Sequence, residues 1–113
     1  MWSLLGNTFL GNYSYYVFPN FFNSNQIRFS IDESTIPSKY LSHCTDRIIV
    51  AREYHNSGLM LTENCGLFYP QSNEIIFNLD PIPTAFNEFK LKIKKIPRYR
   101  YGLGLNITVY YAS

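Results

Sequence analysis

Charge is what this chain has least of. Of 113 residues only 16% are charged, and the first 26 carry no charged side chain at all. That stretch is not a membrane span. Gly6, Asn7, Gly11, Asn12, Pro19, Asn20 and Asn23 break every apolar run well short of the ~20 residues a spanning helix needs. No basic segment precedes an apolar one, so no leader is expected. The expectation is a cytoplasmic protein with no membrane partner. Alanine, the best helix former, occurs only at Ala51, Ala85 and Ala112, which argues against a helical fold. Cysteine occurs twice, at Cys44 and Cys65, too few for a disulfide framework, and both are read as buried free thiols.

Chemical motifs are also lacking. Gly102-Leu103-Gly104 has neither the third glycine nor the following helix of a phosphate-binding loop. No GxSxG elbow and no HExxH occurs. His43, Cys44, His55 and Cys65 are the metal-ligating residue types, but only the adjacent His43-Cys44 pair is close in sequence, and neighbours on a strand point to opposite faces. Cys44 or Cys65 with His55 makes a nucleophile-base pair on paper, as His43 with His55 makes an acid-base pair; no local pattern supports either. The expectation is a non-enzymatic chain with no catalytic residues, no metal and no cofactor.

Aromatic residues are abundant instead: 18%, with ten Tyr and nine Phe. Such side chains suit a pleated, half-buried surface. Tyr13–Phe18 reads as a strand. Gln26–Ile31 alternates, with Ile27, Phe29 and Ile31 on one face. Arg47–Tyr54 and Leu59–Glu63 flank the turn His55-Asn56-Ser57-Gly58, in which Gly58 takes a positive φ. Gly66–Tyr69 and Glu74–Leu79 read as a second hairpin around Pro70–Asn73. Glu88–Lys94 alternates Phe89, Leu91 and Ile93 against Glu88, Lys90, Lys92 and Lys94. A rival helix from Thr84 would align Phe86, Phe89, Ile93 and Ile96. Leu105, Ile107, Val109 and Tyr111 form an inward row. Pro37 starts one short helix over 37–44. The sum is a single all-β domain over 1–113, an antiparallel sandwich or small barrel of eight or nine strands.

The few charges are unevenly spread. Residues 1–87 hold four basic and seven acidic side chains, whereas residues 88–113 hold six basic and one acidic. Alternate lysines on a strand stand roughly 7 Å apart on one surface. Lys90, Lys92 and Lys94, continued by Arg98 and Arg100 around Tyr99, therefore form a candidate partner-binding face. That face suits an acidic protein surface or, with stacking tyrosines, nucleic acid. Asp32, Glu33 and Asp46 form the opposite candidate, an acidic group for a basic partner. The N-terminal aromatics, from Trp2 to Phe22, exceed what one strand face buries. They pack a two-sheet core, line an apolar ligand pocket, or form an exposed patch.

In size and composition the chain resembles immunity proteins that neutralise bacterial toxins, and small accessory proteins of viruses. Both are compact, rich in Asn, Tyr, Phe and Ile, and free of catalytic motifs. The resemblance rests on no single motif. It implies a protein-binding module, most concretely an immunity protein whose partner is a cognate toxin held by occlusion of its active site. A nucleic-acid-binding β domain and a small barrel holding an apolar ligand are the other expectations.

Overall fold

The computed structural model describes residues 1–11, 13–32, 46–97 and 104–113. The helix expected over 37–44 lies outside these, as do Glu33, His43, Cys44, Arg98, Tyr99 and Arg100. Eight strands follow in order: β1 (Trp2–Leu10), β2 (Tyr15–Val17), β3 (Gln26–Ile31), β4 (Arg47–Asn56), β5 (Leu59–Phe68), β6 (Glu74–Asn78), β7 (Lys90–Ile96) and β8 (Leu105–Ala112). They form two antiparallel four-stranded sheets, ordered β1-β8-β3-β6 and β2-β7-β4-β5. The two sheets pack on each other as a β-sandwich, which resolves the choice against a closed barrel.

Alternation explains most of the architecture. In β3, β7 and β8 every second residue is buried: Ile27, Phe29 and Ile31; Leu91 and Ile93; Leu105, Ile107 and Val109. Phe29 lies opposite Val109 in register, and its ring meets Phe68 of the other sheet at 5.1 Å. Phe22 joins the sheets at the other end, stacking at 4.4 Å on Phe89 and 5.1 Å from Tyr111. Phe89 precedes the first residue of β7 and is bridged to Phe22. The segment 88–96 is thus extended, as the strict alternation requires, and the rival helix does not form.

One stretch that the alternation left unassigned takes shape, and two sequence readings are corrected. The N-terminal segment is a nine-residue edge strand, β1, whose alternation is interrupted by a bulge between Leu4 and Gly6. Its aromatic surplus divides between places: Leu10, Phe18 and Phe22 enter the core, while Leu4, Phe9, Tyr15 and Phe21 are exposed. The second expected hairpin does not exist. β5 runs unbroken to Phe68 and pairs with β4, whereas β6 pairs with β3; between them a single 3-10 turn, Pro70–Ser72, carries the chain from one sheet to the other. Finally, Asp46 is not a surface acid. It is buried against Lys95, with Nζ 3.1 Å from Oδ2.

The β4–β5 hairpin turns at Ser57 and Gly58, with φ of 48° and 86°. Two consecutive positive φ values make the primed turn whose twist matches its flanking strands. No helix of the described residues is long and apolar enough to cross a membrane.

Candidate functional site

Charge segregates by sheet. The strands β1, β8, β3 and β6 carry one cation and one anion in total, Arg28 and Glu74. The strands β2, β7, β4 and β5 carry six cations and two anions: Arg47, Arg52, Lys90, Lys92, Lys94 and Lys95 against Glu53 and Glu63.

Two of those cations are internal. Lys95 continues the inward row of Leu91 and Ile93, opposite Ile48, and is 0% exposed. Arg52 also points inward. Its guanidinium donates to the Asp80 carbonyl at 2.8 Å, pairs with Glu63, and lies 5.5 Å from the Tyr54 ring and 5.3 Å from Phe89. Burial works against the charge on Arg52, but the Glu63 hydrogen bond and the neighbouring Tyr54 and Cys65 outweigh it, and the net shift is upward. The guanidinium therefore stays a cation.

The remaining four cations face out. Lys90, Lys92 and Lys94 occupy alternate positions of β7, in register with Glu53, Ala51 and Ile49 on β4, and Arg47 extends the same face at the start of β4. Sequence reasoning placed these three lysines together and the structure does so too. It did not foresee the rings beside them. The Lys90 ammonium stands 4.8 Å from the Phe21 ring, and that of Lys92 stands 4.8 Å from Tyr15. Tyr15 is on β2, whose register sets Tyr15 opposite Lys94 and Val17 opposite Lys92. An ammonium over a ring face is held by the ring quadrupole, so these long side chains are partly ordered before any partner arrives. Tyr15 remains 61% exposed.

One acid lies within this face. Glu53 is nearly buried, 3.9 Å from Lys92 and 3.8 Å from the His55 imidazole. His55 in turn meets the Phe21 ring edge-on at 5.6 Å. Beside the lysines runs a groove of about 230 Å³ lined by Ile49, Ala51, Ile96, Thr62, Lys92 and Lys94. Its floor is apolar, with the β7 lysines along one side and Thr62 and Asn64 of β5 along the other. At the hairpin end an open cleft of about 370 Å³ includes Phe21, His55, Asn56, Phe86 and Glu88.

The acidic candidate is not assembled in the same way. Asp32 is exposed one residue beyond β3, its N–H donating to the Asn106 carbonyl at 2.9 Å, but Asp46 is internal. The Cys/His candidates are also kept apart. His55 is on the outer face with Glu53, whereas Cys65 packs against the core as a free thiol. Burial pushes the Cys65 thiol up, with nearby Arg52 opposing that shift less strongly, so it is a poor nucleophile. Among the described residues no three His, Cys, Asp or Glu side chains stand close enough to hold a metal ion.

A legible signal existed for Lys95. Carrying the Phe89, Leu91, Ile93 alternation one step further puts position 95 inside. Nothing local marks Tyr15 and Phe21 as neighbours of the lysines, because that contact depends on β2 pairing with β7 across some seventy residues of chain. No family model, curated protein or solved structure matches the chain, so this geometry is the whole basis for a functional reading.

Proposed function

We propose that the chain is a non-catalytic protein-binding module that presents the outer face of the β2-β7-β4-β5 sheet to an acidic protein surface. The observation that carries this is the set Lys90, Lys92 and Lys94, braced by Phe21 and Tyr15, along an apolar groove floored by Ile49, Ala51 and Ile96. Aromatic anchors inside a charged rim are the usual anatomy of a protein interface. The outer positions hold four cations and one anion, enough to steer an acidic partner. Glu53, set among the lysines, favours a partner of mixed charge over a uniformly anionic backbone. The concrete form of this reading is an immunity protein that occludes a toxin's active site, with an acidic rim on the toxin around that site.

Nucleic acid is the second reading. It is favoured by one observation: exposed rings beside lysines at roughly the spacing of successive phosphates.

The test is capture by the tagged full chain from its native host, with and without nuclease, compared with a Lys90→Glu, Lys92→Glu, Lys94→Glu variant. The proposal expects one protein at one-to-one stoichiometry, insensitive to nuclease and lost with the variant. Recovery of nucleic acid that disappears with nuclease overturns it in favour of the second reading.

A further inference from the structure

The open cleft at the hairpin end takes no part in the function proposed for the lysines. It lies where β4 finishes and β7 is about to start. Its volume of about 370 Å³ falls at the lower end of the ~300–1,000 Å³ of small-molecule sites. That is room for one ring-sized molecule and not for a chain of them. Its two aromatic side chains are fixed in advance, by different segments. The Phe86 ring packs on buried Tyr54 at 5.2 Å, and the Phe86 N–H donates to the Pro83 carbonyl at 2.9 Å. The Asn56 amide donates to the Ala85 carbonyl at 3.3 Å, and Pro81 and Pro83 stiffen the same connection. Phe21 is held by its neighbour Phe22, which exchanges two backbone hydrogen bonds with Phe89 at 3.1 and 3.2 Å. The Phe21 ring is 39% exposed.

Beside the rings stand His55, Asn56, Asn87 and Glu88. Among the described residues the side chains of Asn87 and Glu88 have no hydrogen-bond or ion-pair partner. No net charge builds up here. Glu88 and Lys90 flank Phe89 in the chain, and Glu53 stands 3.8 Å from the His55 imidazole. An anion would meet the Glu88 carboxylate. A cation would meet Lys90, whose ammonium already occupies the Phe21 ring at 4.8 Å. A wholly apolar ligand would strip water from two amides and a carboxylate without returning their hydrogen bonds. What fits is neutral, ring-shaped and polar at its rim, which is the form of a pyranose. Its hydroxyls donate and accept at once, matching amides that do both and a carboxylate that accepts. Its C–H face is apolar with a partial positive charge, suited to the negative face of an aromatic ring.

We propose that this cleft is a binding site for a neutral pyranose sugar. Phe21 and Phe86 supply the apolar contact, Asn87 and Glu88 bond adjacent hydroxyls, and Asn56 and His55 border the ring. The site does not depend on the function proposed for the lysines.

Amide chemical shifts of the isotope-labelled full chain test this, with methyl α-glucoside, methyl α-mannoside, methyl β-galactoside and N-acetylglucosamine each added up to ~50 mM. At least one sugar is expected to give saturable shifts centred on Phe21 and residues 55–56 and 85–88, with a Kd of about 1–10 mM. Asn87→Ala and Glu88→Gln alter exposed side chains outside the core, and each is expected to weaken binding at least about 5-fold. Lys92→Glu is expected to leave the sugar affinity within about twofold, which separates this site from the lysine face. No saturable shift with any of these sugars overturns the proposal. So do saturable shifts that map elsewhere, or binding that Asn87→Ala and Glu88→Gln both leave intact. Uridine, a flat heteroaromatic probe, overturns it too if it binds the same residues more tightly than every sugar.

Discussion

The ammonium of Lys95 lies 3.1 Å from the carboxylate of Asp46, and the two side chains are 0% and 6% exposed. β7 and the residue just before β4 in the same sheet hold this pair inside a sandwich filled mostly by Ile, Leu, Val and Phe. Taking two charges out of water is costly, and the mutual attraction offsets much of that cost only while both are present.

Single removal is therefore expected to do more harm than double removal. Lys95→Met leaves the Asp46 carboxylate buried without this ammonium and is expected to cost about 3–5 kcal/mol in urea unfolding. Lys95→Met combined with Asp46→Leu is expected to recover most of that loss. A double variant as unstable as the worse single one would contradict the pairing.

Tyr54 gives a pH dependence with a definite sign. Burial raises its phenol from 10 to about 12, against the opposing pull of Arg52. Below pH 10 the group is protonated in both folded and unfolded chains and contributes no slope. Between about pH 10 and 12 the unfolded chain ionises first, so stability falls as pH rises, by up to about 1.4 kcal/mol per unit from this group. Tyr54→Phe is expected to remove that component of the slope. Among the described residues its buried hydroxyl has no hydrogen-bond partner, so the change at pH 7 should stay within about 1 kcal/mol. Urea midpoints of the two proteins from pH 8 to pH 11 are the check, and parallel curves would refute it.

The hairpin turn provides a gain rather than a loss. Ser57 holds a φ of 48° ahead of Gly58 at 86°, a conformation asparagine tolerates better than serine. Ser57→Asn is expected to raise Tm by about 1–3 °C. Gly58→Ala meets open space, so its cost is backbone strain alone, about 1 kcal/mol. A thermal scan in which Ser57→Asn melts earlier than wild type would contradict the turn assignment.

How far the sequence reveals this fold depends on the reach of each signal. β3, β7 and β8 are legible because one face of each is buried and the alternation is local. β1 is obscured because its bulge shifts the alternation between Leu4 and Gly6, so no clean period of two survives. The segment from Gly66 to Leu79 has the local grammar of a hairpin, but whether two strands joined by a tight turn pair or part into different sheets is decided by partners far away in sequence. The same limit applies to the site. Alternation alone puts Lys90, Lys92 and Lys94 on one face, while the burial of Asp46 depends on Lys95, some fifty positions along the chain.

The central claim is that the lysine face of the β2-β7-β4-β5 sheet is the working surface. Its most direct test is a calorimetric titration of the captured partner with three proteins: wild type, Lys92→Glu, and Gln71→Glu, which adds the same charge type at the exposed 3-10 turn between β5 and β6. Lys92→Glu is expected to weaken binding by at least about 10-fold, more so at low salt, while Gln71→Glu stays within about twofold of wild type. Equal affinity for wild type and Lys92→Glu would contradict the account and move the interface off this face.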